Sequence, residues 1–172
     1  MNKVCSVVLA LLLLAWTAPA SGIEIQSRFA SLDYQNSADL NRLYKALRDG
    51  FGFGFNGGSA VKVEAEIRNR LDEFAGRVQE ILDMHPKNFH YRLCLLPDRQ
   101  AVNARYYAEY KKQPDFIAYF SPKSDTIYVS LDDLERTVIV HELAHAVIHH
   151  YFNQAPPVKI HELLAQYVQN QF

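Results

Sequence analysis

His141 and His145 are four residues apart in the segment His141-Glu142-Leu143-Ala144-His145. On a helix that spacing puts both imidazoles on one face, one turn apart, where two nitrogens can hold one metal ion. Glu142 lies about 100° round the same helix, close enough to reach a water on that metal. The chemistry predicted for this H-E-x-x-H arrangement is hydrolysis by metal-activated water, with Glu142 as general base.

The flanking residues must hold that helix in place. Ile139, Val140, Leu143, Ala146 and Val147 fall on the side opposite His141, Glu142 and His145. A core face and a metal face back to back are what a site-bearing helix needs. A catalytic zinc takes three protein ligands and keeps a fourth position open, so two histidines do not suffice. His161 and Glu162, on a last helix spanning 158–172, are the candidates for the third. Their side chains diverge by about 100°, so only one of them can face the metal. Ile160, Leu163, Leu164, Tyr167 and Val168 read as that helix's buried stripe. Glu162 lies nearly opposite this stripe and His161 at its edge, which permits Glu162 without requiring it.

Here the chain resembles the gluzincin metallopeptidases, which include thermolysin-like enzymes. They pair H-E-x-x-H with a glutamate on a following helix, often followed by an apolar residue, alanine and an aromatic. Glu162, Leu164, Ala165 and Tyr167 match that arrangement. The resemblance covers roughly residues 116–172. It implies a secreted zinc peptidase with one Zn2+ per chain, held by His141, His145 and Glu162, with His161 as a neighbour near the cleft. It also implies an edge strand at 116–120 whose backbone, at Ile117, Ala118 and Tyr119, pairs with an extended peptide or protein substrate. Two departures stand out. Gln166 occupies the position where such enzymes commonly carry an acidic residue orienting a ligand histidine. The chain also runs only ten residues past Glu162, so a donor for the developing oxyanion must come from elsewhere, with Tyr110, Tyr119, His150 and Tyr151 as candidates. These departures keep two other readings open: a non-hydrolytic zinc-binding module, and a peptidase-like domain whose site a partner completes. Tyr167 is expected in the core, and His149 is a candidate outer partner of the metal site.

The rest of the chain is read from its patterning. Residues 4–16 are almost wholly apolar and Ala18-Pro19-Ala20 follows, the form of a cleaved secretory signal over residues 1–20. That predicts a secreted or periplasmic protein. Cys5 would leave with the signal, and Cys94 would remain as a buried, inert thiol with no disulfide partner. The composition is that of a globular domain, 49% hydrophobic and 22% charged with a formal net charge of -1. No basic block points to nucleic acid, and no cationic amphipathic helix points to a membrane surface. Residues 21–172 are predicted to form one α+β domain, a small sheet with an edge hairpin packed against helices. The expected strands are 23–27, 90–96, 116–120 and 126–131. The expected helices are 37–49 (with Ser37 as N-cap and Gly50 closing it), 60–84, 98–112, 131–152 and 158–172. The Gly/Phe run 50–58 is expected to be a loop.

Overall fold

The computed structural model describes residues 23–48 and 60–172. The expected signal over residues 1–20, Cys5, Gly50 and the Gly/Phe run lie outside the described residues. The α+β class predicted from the sequence is what the chain forms. Among the described residues the strands are β1 (Ile23–Gln26), β2 (Ala30–Tyr34), β3 (Tyr91–Leu96), β4 (Ala118–Ser121) and β5 (Thr126–Ser130). The helices there are α1 (Ser37–Arg48), α2 (Ala60–Leu82), α3 (Arg99–Tyr110), α4 (Arg136–Tyr151) and α5 (Val158–Gln169). One mixed sheet runs in the order β1-β2-β3-β5-β4. Its centre, β2-β3-β5, is parallel, and each outer strand is antiparallel to its neighbour.

Strand alternation divides the sheet between two layers of helices. Leu93, Leu95, Ile127, Val129 and Ala118 point into the main core, with Ile67, Leu71 and Phe74 of α2 and Ile139, Val140, Leu143 and Val147 of α4. Cys94, Leu96, Tyr119 and Tyr128 point the other way, against Val102 and Tyr106 of α3. The apolar stripe expected on α4 is buried at every position, with Ile139, Val140, Leu143, Ala146 and Val147 fully enclosed.

The helix starts show their local causes. The Asp98 carboxylate caps α3 by accepting from the Ala101 amide at 2.8 Å. At α1 the expected Ser37 cap is replaced by Asn36, whose Oδ1 accepts from the Ala38 amide at 2.9 Å. Asp39 reaches back to accept from the Asn36 amide, which makes the cap reciprocal.

α5 differs most from its sequence reading. Its outward residues are Ile160, Leu163 and Tyr167, which are 46%, 65% and 52% exposed, so Tyr167 is not a core residue. The inward residues are Ala165 and Val168, both fully buried. Of the expected stripe, Val168 is fully buried and Leu164 packs against the core, while Ile160, Leu163 and Tyr167 turn outward, so the buried face is rotated towards Ala165. Beyond α5 the chain is anchored separately. The Phe172 ring meets Phe74 edge-on at 5.4 Å and lies under the Arg77 guanidinium at 4.4 Å. Arg136 donates to the Phe172 backbone oxygen at 2.8 Å, and Arg77 donates to that of Gln171.

Candidate metal centre

The two histidines of α4 rise from its face opposite the core, as the periodicity required. His141 Nε2 and His145 Nε2 stand 3.2 Å apart. α5 crosses above them and brings the Glu162 carboxylate to 3.6 Å from His141 Nε2 and 3.5 Å from His145 Nε2. Two imidazole lone pairs and a carboxylate thus converge on one point, and His141, His145 and Glu162 form a group that could hold a metal ion. The spacing fits that use. Tetrahedral ligands bound at about 2.0–2.2 Å stand about 3.3–3.6 Å from one another. His161, the competing candidate, does not join the group. Its Nδ1 lies 3.0 Å from His145 Nδ1, at the side of that ring facing away from Glu162.

The nitrogens left over have partners. His141 Nδ1 lies 3.0 Å from Gln169 Oε1. An amide oxygen can only accept, so His141 carries its proton at Nδ1 and leaves Nε2 free for a metal. Gln166, where the resemblance placed this role, is exposed. Gln169 takes it from one turn further on, a residue that sequence reasoning missed. The available signal was its helical position: seven residues after Glu162 it lies on the same face of α5.

Glu142 sits beside the ligands, and its Oε2 accepts from the Phe120 amide at 2.8 Å. Burial pushes its carboxyl up to about 7, the Phe120 amide opposes that rise, and the Glu162 carboxylate adds to it. Burial likewise drives His145 down to about 3, with the His141 and His161 imidazoles adding to the effect. His145 therefore stays neutral, as a ligand must, far below neutral pH. His161 is also lowered, chiefly by burial.

The bond from Phe120 fixes the outer edge of the sheet. Ile117 O accepts from the Ser130 amide at 2.8 Å, so the Ile117 carbonyl faces β5 and not the free edge. Antiparallel alternation then turns the Ala118 and Phe120 peptide groups outward and those of Tyr119 inward. Of Ile117, Ala118 and Tyr119, only Ala118 presents its backbone to the free edge, and Phe120 joins it.

A cleft of about 560 Å³ runs between this edge and α5. Tyr106, Phe116 and Tyr119 line one end, Ala155, Pro156 and Val158 the other, with His141, Glu142, His145 and Glu162 between them. Of the four candidate oxyanion donors only Tyr119 lines the cleft. The Tyr110 hydroxyl lies 2.9 Å from Ser121 Oγ, and His150 lies 2.7 Å from Asp125. Tyr151 is exposed against Phe152, and the Tyr119 hydroxyl is buried without a hydrogen-bond partner. His149 and His161 do line the cleft. Cys94, half-buried against α3, has its thiol pushed up to about 11 by burial, which keeps it protonated and unreactive.

Comparison with known protein families, with curated proteins and with solved structures finds no match for this chain.

Proposed function

We propose that this protein is a zinc-dependent peptidase of gluzincin type, exported by its leader segment. The observation that carries the reading is the convergence of His141 Nε2, His145 Nε2 and the Glu162 carboxylate within 3.2–3.6 Å, with Glu142 alongside. A two-histidine, one-carboxylate set with a fourth position open suits catalytic zinc. Bound there, zinc supplies a water of pKa near about 7 and polarises a carbonyl.

The remaining work falls to the chain. Glu142, its Oε2 held by Phe120, takes the water proton at Oε1 and returns it to the leaving amine. A carboxyl poised near 7 in the metal-free protein shifts lower beside a cation, towards the base form. Ala118 offers its amide and carbonyl to an extended peptide, which adds to β4 as a sixth strand and runs past the site. The aromatic and proline walls of the cleft then exclude water from the reacting bond.

A second reading, a metal-binding domain without turnover of its own, is favoured by the candidate donors: Tyr110, His150 and Tyr151 lie off the cleft, and the Tyr119 hydroxyl is buried. One experiment separates the two. Purified protein, never exposed to chelator, should carry about one zinc per chain and degrade an unfolded protein substrate. Chelation should abolish that turnover and added zinc should restore it. Bound zinc without turnover selects the second reading, and absence of zinc removes both.

A further inference from the structure

A histidine that binds a metal through Nε2 carries its proton at Nδ1 and needs an acceptor there. Gln169 supplies one for His141. The partner at His145 Nδ1 is not the usual carboxylate or carbonyl but another imidazole, that of His161, at 3.0 Å. The two ring planes are 18° apart and the centroids 5.3 Å apart. With the two Nδ1 atoms 3.0 Å apart, the rings lie end to end and nearly in one plane, the geometry of an N–H···N bond and not of a face-to-face stack.

We propose that His161 is a positioning residue for the metal site: its Nδ1 accepts the Nδ1 proton of His145 and fixes the tautomer whose Nε2 faces Glu162. The proposal rests on the metal-site reading. An imidazole nitrogen accepts only when it carries no proton, so His161 is itself the Nε2–H tautomer. The two adjacent residues of α5 thereby divide the work. Glu162 meets the Nε2 side of both histidines, while His161 and Gln169 hold the opposite nitrogen of one histidine each. A single helix supplies one ligand and both outer partners, so docking of α5 on α4 and formation of the metal site are one event.

The test is zinc affinity of the full chain, measured by competition with a chromophoric chelator, alongside nitrogen NMR of the imidazoles. His161→Phe keeps a planar ring without an acceptor, and His161→Asn places an amide oxygen near the lost nitrogen. His161→Phe should weaken zinc binding by about 10–100-fold, and His161→Asn should restore most of it. In the metal-free parent, His145 should titrate as the Nδ1–H tautomer, and in His161→Phe it should divide between both tautomers. Parent-like affinity in His161→Phe overturns the proposal and leaves the metal site standing. So does equal loss in the Phe and Asn variants. A larger loss from His161→Phe than from Glu162→Ala makes His161 a ligand and overturns it too. A parent that takes up no zinc overturns both the proposal and the reading beneath it.

Discussion

Glu142 is the residue on which metal binding and chemistry separate. Glu142→Gln keeps the shape and removes the base, so zinc content should stay at the parent level while turnover falls at least about 100-fold. Equal turnover in parent and variant would remove Glu142 from the mechanism. The same substitution reads out burial in the metal-free protein. Glu142 titrates near 7 in the folded chain against an ordinary 4.5. Between those values the folded chain keeps a proton that the unfolded chain has released, so its stability falls as pH rises through that window. His145 acts in the opposite sense: below about 6.5 the unfolded chain takes up a proton that the folded chain refuses until about 3, so acid destabilises. Both chains carry His145, so it drops out of the comparison. The stability of Glu142→Gln relative to parent should therefore rise from pH 4 to pH 8, by on the order of 1–3 kcal/mol, in denaturant titrations of chelated protein. A pH-independent difference would mean that the carboxyl is not held up by burial. His141, Glu142 and His145 were legible as one group in the sequence because helical spacing alone puts them together, whereas Glu162 was assigned from a resemblance. Gln169 and the contact of His161 with His145 were not legible, because they depend on how α5 is rotated against α4.

The elements were legible where their apolar period was strong and local. α2, β3 and the β4–β5 hairpin lie within about two residues of their expected bounds, and α4 starts five residues later than expected, at Arg136. β2 was missed: Ala30, Ser31 and Asp33 carry little strand propensity, and four of its five residues are buried without alternation. What makes it a strand is pairing on both sides, antiparallel with β1 and parallel with β3 some sixty residues away. The α5 stripe was right at Leu164 and Val168 and wrong at Ile160, Leu163 and Tyr167 for a related reason. A wheel gives the apolar face of a helix but not which face a neighbour covers, and here Ala165 and Val168 admit α4 more closely than Leu163 or Tyr167 would. The free edge of β4 supports a prediction at this scale. Ala118→Pro removes an outward amide and leaves the pairing with β5 intact, whereas Ala118→Val keeps that amide. With both variants folded by circular dichroism, the proline variant should lose at least about tenfold more turnover than the valine variant. Equal activities would move the substrate off this edge.

Across the whole molecule the sheet divides two environments. The α3 side is an aromatic layer around Tyr119 and Tyr128, and the α4 side carries the site. Among the described residues no helix is long and apolar enough to cross a membrane. The cleft opens at the outermost strand, where a sheet has unpaired backbone to offer, and the metal group is built from the helix behind that strand and the one crossing above it. Phe172, three residues past Gln169, has a part in this. Gripped by Phe74, Arg77 and Arg136, it tethers the far end of α5, so Glu162 meets the two histidines as an intramolecular partner. On the metal-site reading, the carboxylate's effective concentration at the metal depends on that tether together with the packing of Ala165 and Val168 on α4. Phe172→Ala should therefore weaken zinc binding by about tenfold with all three ligands intact, approaching the affinity of Glu162→Ala as its limit. Competition with a chelator would measure it, and an unchanged affinity would show that α5 is held in place without the Phe172 anchor, by its packing on α4. On the metal-site reading, affinity is then a property of chain tethering as much as of coordination chemistry, adjustable from a ring that is not itself a ligand.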